Sequence, residues 1–211
     1  MAGLAYLLGG RIYDFLDDRF EKVRYARTRK RVLKSLKGKI LDAGCGTGRN
    51  FQYYNSEAKV VGVDISEKML EIAKERAAKS KASIEIRTMD LKSMSFKDDS
   101  FDYIMASFVL CVMPEEYERR ALKELARVAK PDAELYFLEY VYSQNPFRRF
   151  VMRATSFIPK ILYDIRFDST LSVVESEKML KVKKLEFIYD DVVRLIVAQK
   201  IKGGKNGSKI E

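Results

Sequence analysis

The chain has 211 residues, two cysteines, no histidine, and 40 Lys and Arg against 30 Asp and Glu, which gives a formal net charge of +10. This length suits a single domain, the cysteine count excludes a disulfide framework, and the lack of histidine excludes the usual acid–base residue at neutral pH. The charge is +7 over residues 1–39, −3 over residues 40–140 and +6 over residues 141–211. The basic flanks favour an anionic partner, with a generally basic, solubilising surface as the alternative.

The first predicted element is an amphipathic helix. Apolar residues recur at helical spacing from Arg11 to Leu36, and Gly38 is expected to end the helix. The apolar run Leu4–Leu8 is too short for a signal peptide, and no later stretch approaches the ~20 apolar residues of a membrane-spanning helix. We therefore expect a cytoplasmic protein that lies at most on the inner face of a membrane. Three Gln and four Asn beside many Lys and Glu favour a thermophilic source.

Strand and helix signals then alternate along the chain. Strands are predicted at residues 39–44, 59–64, 83–90, 101–110 and 133–141. The helices between them are predicted at residues 65–80 and 114–130. A further helix is predicted at Ser172–Val182, followed by an antiparallel hairpin of residues 184–191 and 193–200. This order predicts a doubly wound, mostly parallel α/β sheet whose functional site lies at the carboxyl ends of the strands.

A glycine-rich loop follows the first predicted strand. The sequence ILDAGCGTGRN, residues 40–50, places glycines at positions 44, 46 and 48, where they permit a tight turn and the close approach of a ligand. The dinucleotide fingerprint requires Gly or Ala at the position of Arg49, and no Gly-Lys-Ser/Thr follows as in a P-loop. Asp64 and Asp90 close the next two strands. The loop and both carboxylates are therefore expected at one edge of the sheet.

Five motifs occur along this part of the chain: ILDAGCGTG, VVGVDIS, MDL, FDYIMA and RVAKPDAELYFLE. In order and spacing, over about Lys39 to Tyr140, they resemble the motifs of class I S-adenosylmethionine-dependent methyltransferases. The resemblance implies a Rossmann-like fold with a seven-stranded sheet, S-adenosyl-L-methionine as the cofactor, S-adenosyl-L-homocysteine as the product, and no metal.

The resemblance also implies a layout for the chain. A single methyltransferase domain would cover residues 1–202, followed by a disordered tail at 203–211. Within the domain, the expected parts are an N-terminal helix and lid (1–37), a cofactor-binding core (38–140), a lid insertion (141–170), and a closing helix and hairpin (171–202).

The residues implied to bind the cofactor are Asp42, Gly44, Cys45, Gly46, Asn50, Asp64, Ile65, Met69, Asp90, Leu91 and Ser107. Asp42 and the glycine turn would hold the methionine ammonium, and Asp64 would bind the ribose hydroxyls. The adenine would pack near Ile65 and Met69, with its polar edge at Asp90 and Leu91, while Ser107 would lie near the sulfonium. As alternatives, Asp90 only caps a turn, and the two apolar residues only belong to the core.

Two further stretches of sequence, residues 12–24 and 107–141, bear on the identity of the methyl acceptor. IYDFLDDRFEKVR, residues 12–24, is similar to the N-terminal helix of bacterial phospholipid N-methyltransferases. Residues 107–141 are similar to those enzymes and to thiol methyltransferase-like proteins, with quinone methyltransferases more distant. These relatives usually have histidine where this chain has Tyr140. N-methylation of a phospholipid amine is the predicted activity, with a soluble small molecule, a quinone or a thiol as alternative acceptors.

Three tyrosines and two arginines are the predicted acceptor-binding residues. Tyr140 and Tyr13 are the catalytic candidates, and with Tyr142 they are expected to stabilise a methylated ammonium by cation–π contact. Arg148 and Arg149 would meet the lipid phosphate. The neighbouring phenylalanines would enter the headgroup layer of an anionic membrane, or alternatively form the core of the lid; they are Phe147, Phe150 and Phe157.

Two other classes of function remain open from the sequence. An RNA methyltransferase or RNA-binding protein would use the same basic flanks, but no RNA-binding module is visible, so nucleic acid is not the favoured partner. A catalytically silent partner protein is the second alternative. The acids Asp98, Asp99 and Asp102 are interpreted as a solvated turn and not as a metal site.

Overall fold

The computed structural model describes Arg11, Asp14 and residues 25–157, 160–161, 164–167 and 169–201. The strands are β1 (Gly38–Ala43), β2 (Ala58–Asp64), β3 (Ser83–Thr88), β4 (Phe101–Ser107), β5 (Ala129–Tyr140), β6 (Leu180–Tyr189) and β7 (Val193–Lys200). The helices are α1 (Ala26–Leu33), α2 (Glu67–Ala77), α3 (Glu115–Val128), α4 (Pro146–Ala154) and α5 (Ser169–Ser176). Short 3-10 turns cover Phe51–Tyr53 and Leu110–Val112.

All seven strands form one sheet in the order β3-β2-β1-β4-β5-β7-β6. The first five strands run parallel, and β7 runs antiparallel to both β5 and β6. The predicted seven-stranded, mostly parallel sheet with a C-terminal antiparallel hairpin is therefore confirmed. The order of strand addition reverses at β1, since β2 and β3 lie on one side of it and β4 and β5 on the other, and such a switch point opens a crevice at the carboxyl ends of the strands.

Apolar side chains fill both faces of the sheet. Successive residues of a strand point to opposite faces, so Ile40 and Leu41 of β1 join separate buried clusters. The cluster containing Leu41 packs against α3, where Leu122 and Leu125 are fully buried. Because apolar side chains cover both faces of the sheet, a ligand can reach polar groups at the carboxyl ends of its strands.

The helix ends follow ordinary capping chemistry. Ser66 accepts the backbone N–H of Met69 and caps α2, as predicted. Helix α3 begins directly after Pro114, with three glutamates in its first turn and Arg127 in its last turn. These charges suit the helix dipole, which attracts acids at the N-terminus and bases at the C-terminus.

The helix predicted at Ser172–Val182 is misplaced by several residues. Helix α5 ends at Ser176, and a turn closes through the Leu180 N–H, which donates to the Glu177 carbonyl oxygen at 3.0 Å. From Leu180 the chain pairs with β7 along its whole length, and this backbone pairing overrides the local helical pattern. Of the N-terminal helix predicted at Arg11–Leu36, α1 accounts for Ala26–Leu33, and Arg11 and Asp14 are also helical.

The helices within the described ranges are all too short or too polar to cross a bilayer.

Candidate functional site

A cavity of about 880 Å³ opens at the carboxyl ends of β1, β2 and β4, within the usual size range of small-molecule sites. Most of the predicted cofactor-binding residues line it, namely Gly44, Cys45, Gly46, Asn50, Asp64, Ile65, Met69, Asp90, Leu91 and Ser107. Asp42 is the exception, because it is buried beneath the cavity with 1% of its surface exposed. The topology thus brings residues from the carboxyl ends of β1, β2, β3 and β4 to one cavity.

The three loop glycines differ in what would prevent a larger residue at each position. All three have positive φ, but a Cβ on Gly44 would lie 2.3 Å from Val109, and one on Gly48 would lie 2.7 Å from Phe51. A Cβ on Gly46 would have no neighbour within 4 Å. Packing within the protein therefore explains Gly44 and Gly48, and only Gly46 leaves open space for a ligand.

Asp64 is fixed by the backbone around it. Its two carboxylate oxygens accept the N–H groups of Gly46 and Ser66, each at 2.9 Å, and 6% of the residue is exposed. The Asp64 carboxylate also borders the cavity, where it can accept hydrogen bonds from a ligand. The glycine turn and the end of β2 are thereby held in one geometry through a single side chain.

A buried polar network lies behind the loop. The Asn50 amide donates to Asp42 Oδ1 at 2.9 Å and to Ser107 Oγ at 3.3 Å, and it accepts a hydrogen bond from the Arg29 guanidinium. Burial raises the pKa of the Asp42 carboxyl from 3.8 to about 6, opposed by the hydrogen bond from Asn50. Asp42 therefore acts on the cavity through Asn50, which presents its amide between β1 and β4.

The opposite wall suits a flat ring. Ile65 is 63% exposed at the end of β2 and faces the cavity together with the buried Met69. Asp90 accepts the Lys92 N–H at 2.9 Å, and the Lys92 ammonium lies 3.4 Å from its second oxygen. Asp90 therefore caps a turn, as the alternative interpretation expected, and it also borders the cavity.

The inner end of the cavity is aromatic. The Phe108 ring packs against both Tyr25 and Tyr140, with ring centroids 4.8 Å and 4.6 Å away. The two tyrosine rings also meet edge-on, and their hydroxyls are 2.9 Å apart. Phe108 adopts φ +57°, a strained conformation for a bulky residue, and such strain is typical of functional sites. Phe167 approaches Tyr140 edge-on at 6.4 Å and also lines the cavity.

The other predicted acceptor-binding residues lie in different places. Arg148 lines the cavity and pairs with Asp191 at 2.9 Å. Arg149 instead donates to the Ser143 carbonyl oxygen at 2.7 Å. Tyr142 stacks on the Phe167 ring at 4.6 Å and is not a lining residue. Tyr13 lies outside the described residues.

One acid ties the N-terminal segment to the glycine loop. Asp14 accepts hydrogen bonds from Thr47 at 2.9 Å and Arg49 at 3.1 Å, and it pairs with Arg76 of α2 at 2.7 Å. Arg49, whose position excluded the dinucleotide fingerprint, therefore anchors another part of the chain. This contact places Asp14 beside the glycine loop, which lines the cavity.

A second buried cluster lies behind the aromatic wall. Glu139 is 1% exposed and accepts the Cys111 N–H at 3.2 Å. Burial raises its pKa to about 8, and burial also raises the pKa of the Cys111 thiol. The Arg166 guanidinium lies 3.2 Å from the buried Glu118 carboxylate, and the Arg166 N–H donates to the Cys111 carbonyl oxygen at 2.7 Å. These contacts fix the segment that carries Phe167.

Four residues of this site escaped the sequence reasoning. Arg29 is one of several basic residues on its helix, and Tyr25 precedes that helix, so no local pattern distinguishes them. Phe108 directly follows Ser107, which was a weak signal for a wall residue. Asp14 lies in a segment of mixed charge.

Comparisons with known proteins agree with this geometry. The methyltransferase domain family matches residues 40–132, which contain β1 to β4 and the cofactor-side residues. The phosphatidylethanolamine N-methyltransferase of Cereibacter sphaeroides is 31% identical over 131 residues, which cover 61% of this chain and 63% of that protein. Residues 40–132 are thus a methyltransferase domain, and the relatives support a class I S-adenosylmethionine-dependent methyltransferase.

A second relative carries the name of a different activity. The demethylmenaquinone methyltransferase of Staphylococcus aureus MRSA252 is 37% identical over 135 residues, covering 60% of this chain and 55% of that protein. The matches therefore span less than two thirds of these curated relatives.

Solved structures share the fold. A Pyrococcus horikoshii OT3 protein superposes with a TM-score of 0.68 at 20% identity, covering 87% of this chain and 91% of that one. The cyclase SpnF superposes with a TM-score of 0.70 at 19% identity, covering 96% and 98%. A fold shared by a cyclase does not by itself specify methyl transfer.

We expect Gly46→Val to weaken S-adenosylmethionine binding at least about tenfold, because its side chain would occupy the open space over the turn. Isothermal titration calorimetry measures the affinity, and circular dichroism checks the fold. Gly46→Ala is the matched variant, since it meets the same backbone strain at φ +53° with a smaller side chain. Wild-type affinity in Gly46→Val would show that the ligand does not pass over this turn.

Proposed function

We propose that this methyltransferase transfers the methyl group of S-adenosylmethionine to the amine of a phospholipid. The observation that carries the proposal is the aromatic wall formed by Tyr25, Phe108 and Tyr140, which stands next to Ser107 at the inner end of the cavity. Aromatic faces attract a methylated ammonium through cation–π contact. The likeness to a phosphatidylethanolamine N-methyltransferase supports the same acceptor.

The cofactor side of the cavity fits S-adenosylmethionine. Gly46 leaves space that a Cβ would fill, and the Asp64 carboxylate at the cavity wall would accept hydrogen bonds from the ribose hydroxyls. Ile65 offers an exposed apolar surface for the adenine, and Arg29 brings a buried positive charge beside Asn50 for the methionine carboxylate. When bound, the cofactor supplies an activated methyl group on its sulfonium, so the protein needs only to align the acceptor and exclude water.

The chain's own residues would then handle the acceptor. The three aromatic rings hold the amine and its developing positive charge, and a desolvated contact of this kind contributes about 2 kcal/mol. The paired hydroxyls of Tyr25 and Tyr140, 2.9 Å apart, can accept a hydrogen bond from the amine and orient its lone pair. Arg148, at the cavity wall beside Asp190 and Asp191, would meet the phosphate.

The proposal is tested by incubating the enzyme with labelled S-adenosylmethionine and three acceptors in parallel. These are dispersed phosphatidylethanolamine, a demethylated naphthoquinone, and a soluble primary amine, and mass spectrometry identifies the products. We expect mono-, di- or trimethylated phosphatidylethanolamine. Methylation of the quinone alone would transfer the assignment to the second group of relatives, and methylation of the soluble amine alone would exclude a lipid acceptor.

We expect Tyr140→Leu to lower kcat/KM for the lipid amine about 30-fold, the equivalent of one desolvated cation–π contact of about 2 kcal/mol. Tyr140→Phe keeps the ring and should lose no more than a few-fold. Both variants should bind S-adenosylmethionine like the wild type, since the ring lies beyond Ser107. Equal losses in the two variants would assign the role to the hydroxyl and not to the ring. Tyr142→Leu serves as comparison, because Tyr142 does not line the cavity.

A further inference from the structure

Helix α4 presents an uncovered apolar face. None of its residues is buried, and Phe147 is 77% exposed and Phe150 69% exposed. At 100° per residue, these two side chains share one face with Val151 and Ala154. Phe157 and Ile161, both about 60% exposed, continue the same direction after the helix. These apolar side chains do not form the core of the lid, so that alternative from the sequence is wrong.

Large exposed aromatic residues in a contiguous stripe mark an interaction surface. Arg148 and Arg153 lie about 60° to either side of the stripe, Lys160 follows the helix, and the chain has no acid between Glu139 and Asp164. Arg148 also pairs with Asp190 and Asp191. An apolar face flanked by basic residues is the pattern of helices that lie in the interface of an anionic membrane. Each basic residue near such a surface adds favourable electrostatic energy.

The helix is also held firmly against the rest of the protein. Asn145 caps it by accepting the Arg148 N–H at 3.0 Å. Asp191, in the turn between β6 and β7, accepts the backbone N–H groups of Gln144 at 2.6 Å and Asn145 at 3.2 Å. The orientation of the apolar stripe is therefore set by the sheet.

The face of α4 next to the stripe borders the cavity. Arg148 and Met152 line the cavity wall, about 100° around the helix from Phe147 and Val151 respectively. One helix thus joins the apolar stripe to the opening of the site. A bilayer that covered the stripe would bring lipid headgroups to the cavity entrance.

We propose that the apolar face of α4 inserts into the headgroup layer of an anionic bilayer and places the cavity opening at the lipid surface. The role of this docking rests on the proposed function, since docking explains how a lipid amine reaches the aromatic wall. The binding itself requires no cofactor and no methyl transfer. It can therefore be measured separately from the reaction.

The experiment is cosedimentation of the full-length protein with vesicles, at low and at high salt. One set contains phosphatidylcholine alone and the other contains phosphatidylcholine with phosphatidylglycerol. We expect binding to the second set, weakened by salt, and at least about a tenfold loss in each of Phe147→Asp and Phe150→Asp. Phe187→Asp is the matched control, because Phe187 is 41% exposed on β6, and its vesicle binding should equal that of the wild type.

Each other outcome overturns the proposal. Absence of wild-type binding to either vesicle set would reject membrane docking. Equal binding by all three variants would show that charge alone attracts the protein and that α4 does not insert. Sedimentation velocity without lipid tests for self-association. A wild type that forms dimers, together with a Phe150→Asp variant that is monomeric, would assign the stripe to a second copy of this chain.

The two proposals fail in different ways. Vesicle binding that depends on Phe147 and Phe150, without any methylated lipid, would reject the phospholipid amine as acceptor and keep the docking surface. Methylation of phosphatidylethanolamine in detergent by Phe150→Asp at the wild-type rate, with vesicle binding unaffected, would reject the docking surface and keep the acceptor.

Discussion

Replacing Asp64 with alanine is expected to weaken S-adenosylmethionine binding by about 2–4 kcal/mol, or roughly 30- to 900-fold, because two charge-assisted hydrogen bonds to the ribose are lost. The variant also loses the bonds from the Gly46 and Ser66 N–H groups, which hold the glycine turn against β2. Both effects act in the same direction. Calorimetric titration with S-adenosylmethionine or S-adenosylhomocysteine measures the change.

Asp102→Ala is the matched control for this variant. Asp102 also accepts a backbone N–H, from Lys39 at 2.8 Å, but it lies at the other end of the parallel strands and does not line the cavity. Its loss should lower stability slightly and leave cofactor affinity unchanged. Wild-type affinity in Asp64→Ala would move the ribose site away from the end of β2.

Glu139 is expected to make the protein less stable as pH rises. Its pKa is raised from 4.5 to about 8 in the folded state, so between these values the folded protein keeps a proton that the unfolded chain releases. Stability is unaffected by this group below about pH 4.5, falls as pH rises from there, and stops falling above about pH 8. The total loss is on the order of 4 kcal/mol. Glu139→Gln should remove the slope.

Denaturant unfolding at a series of pH values between 6 and 8 measures this effect. The window is favourable because the chain has no histidine. Asp42, whose pKa is about 6, is half ionised at pH 6 and adds only about 0.4 kcal/mol of further change across the window, equally in both proteins. The wild type should lose stability across the window, while Glu139→Gln should stay nearly level. A wild type that is equally stable at pH 6 and pH 8 would show that Glu139 ionises freely.

The sequence contained enough information for the cofactor half of the site. Residues at the ends of parallel strands must meet at one edge of the sheet, so Asp64, Asp90 and Ser107 were placed by topology alone. The sequence located the glycine loop correctly. It did not show that Val109 and Phe51 leave no room for a side chain at Gly44 and Gly48, because such contacts depend on how side chains pack. Local patterns do not contain such contacts.

The acceptor half was much less predictable. Tyr25, Tyr140, Arg148 and Phe167 all lie outside residues 40–132, the part that matches the methyltransferase domain family. They come from the segment before β1, the last residue of β5 and the segment after it, which have no regular motif and meet only through the tertiary fold. Tyr140 and Tyr142 looked equivalent in the sequence. In the structure β5 ends at Tyr140, which faces the cavity, whereas Tyr142 lies beyond the strand and stacks on Phe167.

The position of β7 has a consequence for biosynthesis. It follows every other strand along the chain, yet it lies between β5 and β6 in the sheet. A ribosome must therefore complete residues 193–200 before β6 has any partner, and the twelve-residue β5 keeps one edge unpaired until then. Open edges of this kind recruit strands from other chains. Completion of this sheet is a late event, and the nascent protein depends on rapid closure of the hairpin to escape aggregation.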